Sequence, residues 1–187
     1  MSEKGGLDIA VEIAISRLNE GDREALAVIY NCYGRMIFSV ALGITGNYAD
    51  AEDVLQDTML QIIKYSHTYK RGTSPRAFVL AMARHRAIDI IRRRKDHIDL
   101  NDASLSHIES DESREEADRL ISEDVVHLLS ALDEGEKQVI ILRIYAEMSF
   151  AEVAKAMNIS VFAAQKRYQR AIKKLKGLSK NCGGDFG

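Results

Sequence analysis

The chain has 187 residues, 26 Lys+Arg against 28 Asp+Glu for a formal net charge of −2, and is 46% hydrophobic and 29% charged, enough for one large domain or two small ones. One proline, no tryptophan and few runs of β-branched residues favour an all-α protein; two cysteines, Cys32 and Cys182, in no metal or redox spacing exclude a disulfide scaffold. No apolar run approaches about 18 residues and no charged start precedes an apolar core at the N-terminus, so neither membrane insertion nor a signal peptide is expected and the protein is placed in the cytoplasm.

In chain order, residues 8–19 can form a short amphipathic helix, broken at Gly21, with Asp22 able to cap the next. Leu26, Ile29, Tyr30, Tyr33, Ile37, Val40, Ala41 and Ile44 then recur at helical spacing. Gly34 costs up to about 1 kcal/mol there, which the apolar stripe outweighs. Cys32 reads as a small core residue. Gly46-Asn47 stops the helix, and Asp50 is the expected cap of the next. Its buried stripe is Val54, Leu55, Met59, Ile62 and Ile63, with Glu52, Asp53, Gln56 and Asp57 on the other side. A loop over 66–74 ends at Pro75, a favourable first helical residue. The helix it opens, 75–95, buries Phe78, Val79, Met82, Ala83, Ile88 and Ile91 in some combination and exposes its arginines.

Charge falls in blocks. From Arg76 to Lys95 there are seven bases against one acid, Asp89. From Asp96 to Asp124 there are eleven acids against Arg114 and Arg119. Seven bases and no acid then lie between Lys155 and Lys176. Blocks of this kind point to partners rather than to a mixed solvated surface. The acidic stretch has no clear period and reads as a flexible tether. The organisation expected is therefore two small helical bundles, 8–95 and 115–178, joined by an acidic linker, 96–114, with a disordered tail at 179–187. In the second bundle Leu120, Ile121, Val125, Leu128 and Leu129 are the first apolar positions. Asp133 with Glu136, and Ser149 with Glu152, have capping-box spacing and start helices running to about Ala146 and Met157.

Residues 149–176 read as a short helix, a turn at Asn158-Ile159-Ser160, and a cationic helix from Val161 to Lys176 capped by Ser160. That is the form of a helix-turn-helix, which makes DNA the leading partner. Ile144, Val153, Ala154, Met157, Ile159, Ala171 and Leu175 are its expected core.

The order of pieces is informative. Asp50-Ala-Glu-Asp-Val-Leu-Gln-Asp-Thr-Met comes first. Phe78-Val-Leu-Ala-Met-Ala-Arg-His-Arg-Ala-Ile-Asp-Ile-Ile-Arg-Arg-Arg follows. Lys166-Arg-Tyr-Gln-Arg-Ala-Ile-Lys-Lys-Leu closes the set after the tether. This resembles the sigma-70 family of transcription initiation factors, specifically the compact extracytoplasmic-function (ECF) type, over about residues 20–176. The resemblance implies binding to core RNA polymerase and promoter DNA, strand opening without ATP, and an anti-sigma factor as a further partner. By position it assigns Glu52, Asp53, Gln56 and Asp57 to polymerase contact. Arg84, His85, Arg86, Arg92, Arg93, Arg94 and Lys95 fall to the minus-10 element, and Ala163, Gln165, Lys166, Arg167, Gln169, Arg170, Lys173 and Lys174 to the minus-35 element. Arg can pair bidentately with guanine and Gln with adenine, while Lys173 and Lys174 suit phosphates.

Melting needs cations on the backbone and a pocket for an unstacked base; the loop with Tyr65, His67, Tyr69, Lys70 and Arg71 mixes the residue types for the second task. Phe78 stands where the family usually has Trp, His85 where it has Asn, and Ala163-Ala164 where it has Thr-Val. The resemblance also implies that the linker threads the polymerase channel.

No catalytic constellation is evident. His67, His85, His97, His107 and His127 have no metal-ligand spacing, and no phosphate-binding loop or nucleophile motif occurs. No cofactor, metal or enzymatic activity is expected. Two other readings fit parts of the pattern: a helix-turn-helix regulator that uses the first bundle to dimerise or bind a ligand, and a sigma mimic that binds an anti-sigma factor and never DNA.

Overall fold

The computed structural model describes residues 3–98 and 128–182, with side chains described over 5–94 and 128–178. Among the described residues every regular element is helical. The chain divides into two compact units, one reaching to Ile108 and the other beginning at Glu109. Residues 96–98, expected to open the acidic tether, are helical and continue the helix that starts at Pro75; the rest of the tether, the apolar positions at 120, 121 and 125, and the last residues of the expected tail lie outside the described residues.

The described part of the first unit has four helices: α1 (Glu3–Asn19), α2 (Ala25–Thr45), α3 (Tyr48–Tyr65) and α4 (Pro75–Ile98), with a 3₁₀ turn at Ser66–Thr68. The apolar α2 is central and packs against α1, α3 and α4. It is long and apolar enough to cross a bilayer, with mean hydropathy 1.4, but Ile29, Tyr33, Ile37, Val40, Ala41 and Ile44 are buried inside the unit. This is the core helix of a bundle, and most of the periodic stripe seen in the sequence is its inner face.

Several local expectations change. α1 starts at Glu3, well before Asp8. Asp22 accepts the Glu24 amide hydrogen bond at 3.0 Å, while Glu24 itself precedes α2 without a side-chain cap. Tyr30 is 52% exposed, on the outer side of α2. Cys32 is half-buried rather than a core residue, and its burial pushes the thiol pKa up. The cap of α3 is Asn47, whose Oδ1 accepts from the Asp50 amide at 3.0 Å. Asp50 therefore sits inside the first turn, and is buried.

In α3, Val54, Thr58, Met59 and Ile62 are buried, and Leu55 and Ile63 only half-buried. In α4 the inward positions are Val79, Leu80, Ala83 and Ala87; Phe78, Met82, Ile88 and Ile91 are half-buried at its flanks. Not every arginine of α4 is exposed. Arg76 is 3% exposed, 3.3 Å from the Asp8 carboxylate and over the Tyr33 ring, and the Tyr33 hydroxyl donates to that same carboxylate. Burial first, then Asp8, pushes the Tyr33 pKa far up. This cluster ties α1, α2 and α4 together.

The described part of the second unit opens with helical residues 128–130, followed by α5 (Glu134–Ile140), α6 (Phe150–Met157) and α7 (Val161–Cys182). α7 runs past its expected end at Lys176, so residues 179–182 are helical rather than tail. Both capping boxes form: Asp133 accepts from the Glu136 amide at 2.8 Å, and Ser149 from the Glu152 amide at 3.3 Å. α5 ends in a π-helical turn at Ile141–Tyr145, closed by the Ala146 amide on the Ile141 carbonyl at 3.2 Å. From within this turn, Arg143 donates to the Met148 carbonyl and lies 4.6 Å from the Phe150 ring centroid. Val139, Ile141, Leu142, Met148, Val153, Ala164 and Ala171 are buried. Ile144, expected in this core, is 50% exposed on the π turn.

Candidate nucleic-acid interface

The turn between α6 and α7 follows from its residues. Asn158 ends α6 in the left-handed region, φ 53°, which a short polar side chain tolerates better than most. The Ile159 amide returns to the Ala154 carbonyl at 2.9 Å. Ser160 Oγ then accepts the Ala163 amide at 3.1 Å and starts α7. Ala164 and Ala171 face inward with no exposed surface, and Tyr168 packs on Phe150, ring centroids 5.4 Å apart. This seating turns Gln165, Lys166, Gln169, Arg170 and Lys173 to solvent.

Of the eight sequence-predicted residues of α7, two are half-buried and a third is paired with a carboxylate of α5. Ala163 is half-buried. Arg167 is half-buried against α5: a Cβ added to Gly135 would lie 3.1 Å from a terminal guanidinium nitrogen. Lys174 is itself exposed, but its Nζ lies 2.6 Å from the carboxylate of the buried Glu136 and 3.9 Å from Asp133. Arg170 Nε is 3.7 Å from the other Glu136 oxygen, which biases that guanidinium while leaving it exposed. An open concavity of about 710 Å³ runs along the outer face, lined by Phe162, Ala163, Lys166, Arg167, Gln169, Arg170 and Lys173. Phe162 was not among the expected contacts. Its signal was available: Phe162, Lys166, Gln169 and Lys173 follow i, i+4, i+7, i+11 spacing.

In the first unit, α3 and α4 lie side by side, and the bases of α4 nearest α3 meet its acids. Arg86 Nε is 2.5 Å from Asp57 Oδ2, and Arg94 is 2.8 Å from Asp50. So one residue assigned to DNA and one assigned to polymerase, Arg86 and Asp57, are joined. Burial raises the Asp50 pKa, opposed by Arg94. His85, Arg92 and Arg93 are exposed and Arg84 is half-buried. Lys95 lies on α4, with its side chain outside the described set. Glu52, Asp53 and Gln56 are exposed together near the start of α3. In the neighbouring loop Tyr69 stacks on Phe78, centroids 5.3 Å apart, and its hydroxyl donates to the Thr73 carbonyl at 2.7 Å. His67, Lys70, Arg71 and Tyr65 remain exposed beside it.

These features define a two-unit protein, helical throughout its described residues, with a helix-turn-helix carrying a cationic outer face in one unit and a cationic helix beside an acidic one in the other. Residues 29–97 match the family description Sigma-70 region 2, and residues 122–175 match Sigma-70, region 4. The chain is 24% identical to the ECF RNA polymerase sigma factor SigX of Bacillus subtilis, over 82% of each chain. It is 26% identical to the RNA polymerase sigma factor NccH of Alcaligenes xylosoxydans xylosoxydans, over 91% of this chain and 96% of that one. Its fold is similar to that of CnrH, solved with the cytosolic domain of CnrY, with TM-score 0.70, 23% identity, and 92% and 98% of the two chains covered. It is also similar to that of the sigma factor RpoE, solved with the anti-sigma factor NepR from Bartonella quintana, with TM-score 0.69, 19% identity, and 81% and 94% covered. The chain belongs to the sigma-70 family and is a sigma factor of the ECF type, acting in transcription initiation.

Proposed function

We propose that the chain carries core RNA polymerase to promoters through three surfaces. Glu52, Asp53 and Gln56 of α3 meet the polymerase. His85, Arg92 and Arg93 of α4, with the Tyr65–Arg71 loop, hold the minus-10 strand as it opens. Gln165, Lys166, Gln169, Arg170 and Lys173 of α7 enter the major groove at the minus-35 element. Unstacked bases captured beside α4 offset the few kcal/mol that unstacking costs. Residues 99–114 serve as the strap between the two grips, and the protein works in the cytoplasm beside the polymerase.

The observation that carries this reading is the seating of α7: two alanines and a tyrosine face the core, so its polar and cationic stripe stands clear of it. Arg167 and Lys174, held against α5, contribute by shaping that surface rather than by reaching a base. An anti-sigma factor is the expected inhibitor, since RpoE was solved with one.

The test is transcription on a library of genomic fragments with purified chain and core polymerase. Specific start sites that vanish without the chain are expected. No specific start, with no inhibitor present, would refute the proposal. Co-purification with core polymerase separates it from an ordinary helix-turn-helix regulator, and promoter-dependent RNA separates it from a sigma mimic.

A further inference from the structure

We infer that Phe162 reads the C5-methyl group of one thymine in the minus-35 element. This rests on the placement of α7 in the major groove proposed above. Phe162 is 65% exposed in the first turn of α7, although it is a large aromatic residue in a chain with few of them. It heads the stripe that continues through Lys166, Gln169 and Lys173, and lines the same concavity as those side chains. Its ring lies 4.9 Å from Lys166 Nζ, a cation–π contact that helps hold it beside the polar readers. The Ser160 cap fixes the backbone from which it projects.

The chemistry then narrows the target. The first residues of a recognition helix are those that meet base edges. A phenyl ring neither donates nor accepts a conventional hydrogen bond, so the other edge atoms of the major groove give it no specific partner. Thymine alone among the four bases presents an apolar group there, its C5-methyl. The surrounding cations favour DNA over an apolar protein surface as the occupant. Phe162 is thus a specificity-determining residue, adding an apolar contact to a face otherwise read by amide and guanidinium groups.

The experiment uses holoenzyme assembled from full-length chain and core polymerase, on a promoter found by the fragment-library assay. Each thymine of the minus-35 element, on either strand, is replaced singly by deoxyuridine, which removes only the methyl group. At one position the native chain should lose about fourfold in promoter affinity, the size expected for one methyl group taken out of water. Phe162→Ala should bind thymine and deoxyuridine alike at that position, keep its response elsewhere, and keep its salt slope. Phe162→Leu should retain an intermediate response.

Equal thymine-to-deoxyuridine ratios for native chain and Phe162→Ala at every position would overturn the inference. So would a Phe162→Ala defect confined to core polymerase affinity without DNA, which would place the ring against protein. Gln169→Ala separates the two levels of failure. If it shifts base preference while Phe162→Ala does not, only this inference fails. If neither shifts any preference although initiation proceeds, the groove placement of α7 fails with it.

Discussion

Lys174 and Lys173 are neighbours in sequence, yet the structure gives them opposite roles. Lys174 Nζ sits 2.6 Å from a Glu136 carboxylate that is 1% exposed, whereas Lys173 is exposed on the outer face. Lys174→Met leaves that carboxylate with Arg170 at 3.7 Å and the Asp133 amide at 3.4 Å. Removing one partner of a buried pair costs about 3–5 kcal/mol. Lys174 is itself 47% exposed and Arg170 can close in, so the expected loss is nearer about 2 kcal/mol, or about 10 °C in the melting of a unit this size. Glu136→Gln instead leaves an ammonium that can turn to water, costing about 1 kcal/mol. The double variant should cost no more than Glu136→Gln alone, a coupling of about 2 kcal/mol.

Calorimetry on the four proteins of this cycle measures it, and hydrogen exchange in α5 and α7 assigns the loss to the second unit. In promoter-binding titrations Lys173→Met should lower the salt slope by about 0.9, the value for one phosphate contact, and Lys174→Met should leave it unchanged. A Lys174→Met protein that melts like the native chain, or a double variant as unstable as the two losses summed, would refute the buried pair as the organising contact.

Asp53→Arg should weaken core polymerase binding in a competition assay while circular dichroism stays native, because Asp53 is exposed and its loss disturbs no core. Arg76→Met should destabilise the first unit by about 2–3 kcal/mol, since it strips the Asp8–Tyr33 cluster of its buried cation; faster hydrogen exchange in α1 and α4 reads it. The Asp133 carboxyl is held below its ordinary pKa first by the Glu136 amide and further by Lys174 and Arg170. A depressed folded pKa gives stability that is present above the unfolded pKa and lost as pH falls through the folded one. Melting temperature of the second unit should therefore drop below about pH 4, and Asp133→Asn should flatten that drop. His85→Asn should change the preferred minus-10 sequence in a promoter-library assay, since His85 is exposed on α4 and the two side chains present different hydrogen-bonding geometry.

Local features of this fold were readable from the residues alone. The two capping boxes and the Ser160 cap close over three residues, and the Asn158 turn is equally short, so their hydrogen bonds depend on identities within one helical turn. The apolar period of α2 and the alanines of α7 mark faces that must be covered by something. At α3 the local sequence points to Asp50 as the cap, whereas the structure caps with Asn47 and buries Asp50 against Arg94, a long-range partner that the local sequence does not reveal.

The charged residues divide differently. Identity and helical spacing place Lys166, Gln169 and Lys173 on one stripe before any coordinates are known. Which bases are left to meet DNA depends on pairs between residues far apart in the chain. Arg76 is 68 positions from Asp8, Arg86 is 29 from Asp57, and Lys174 is 38 from Glu136. Each pair exists because two helices pack side by side, and a carboxylate removed from water takes the nearest cation. Helix type, the two capping boxes, the Ser160 cap and the helix-turn-helix spacing are short-range properties and were legible in the chain; the choice of exposed cations was made by packing.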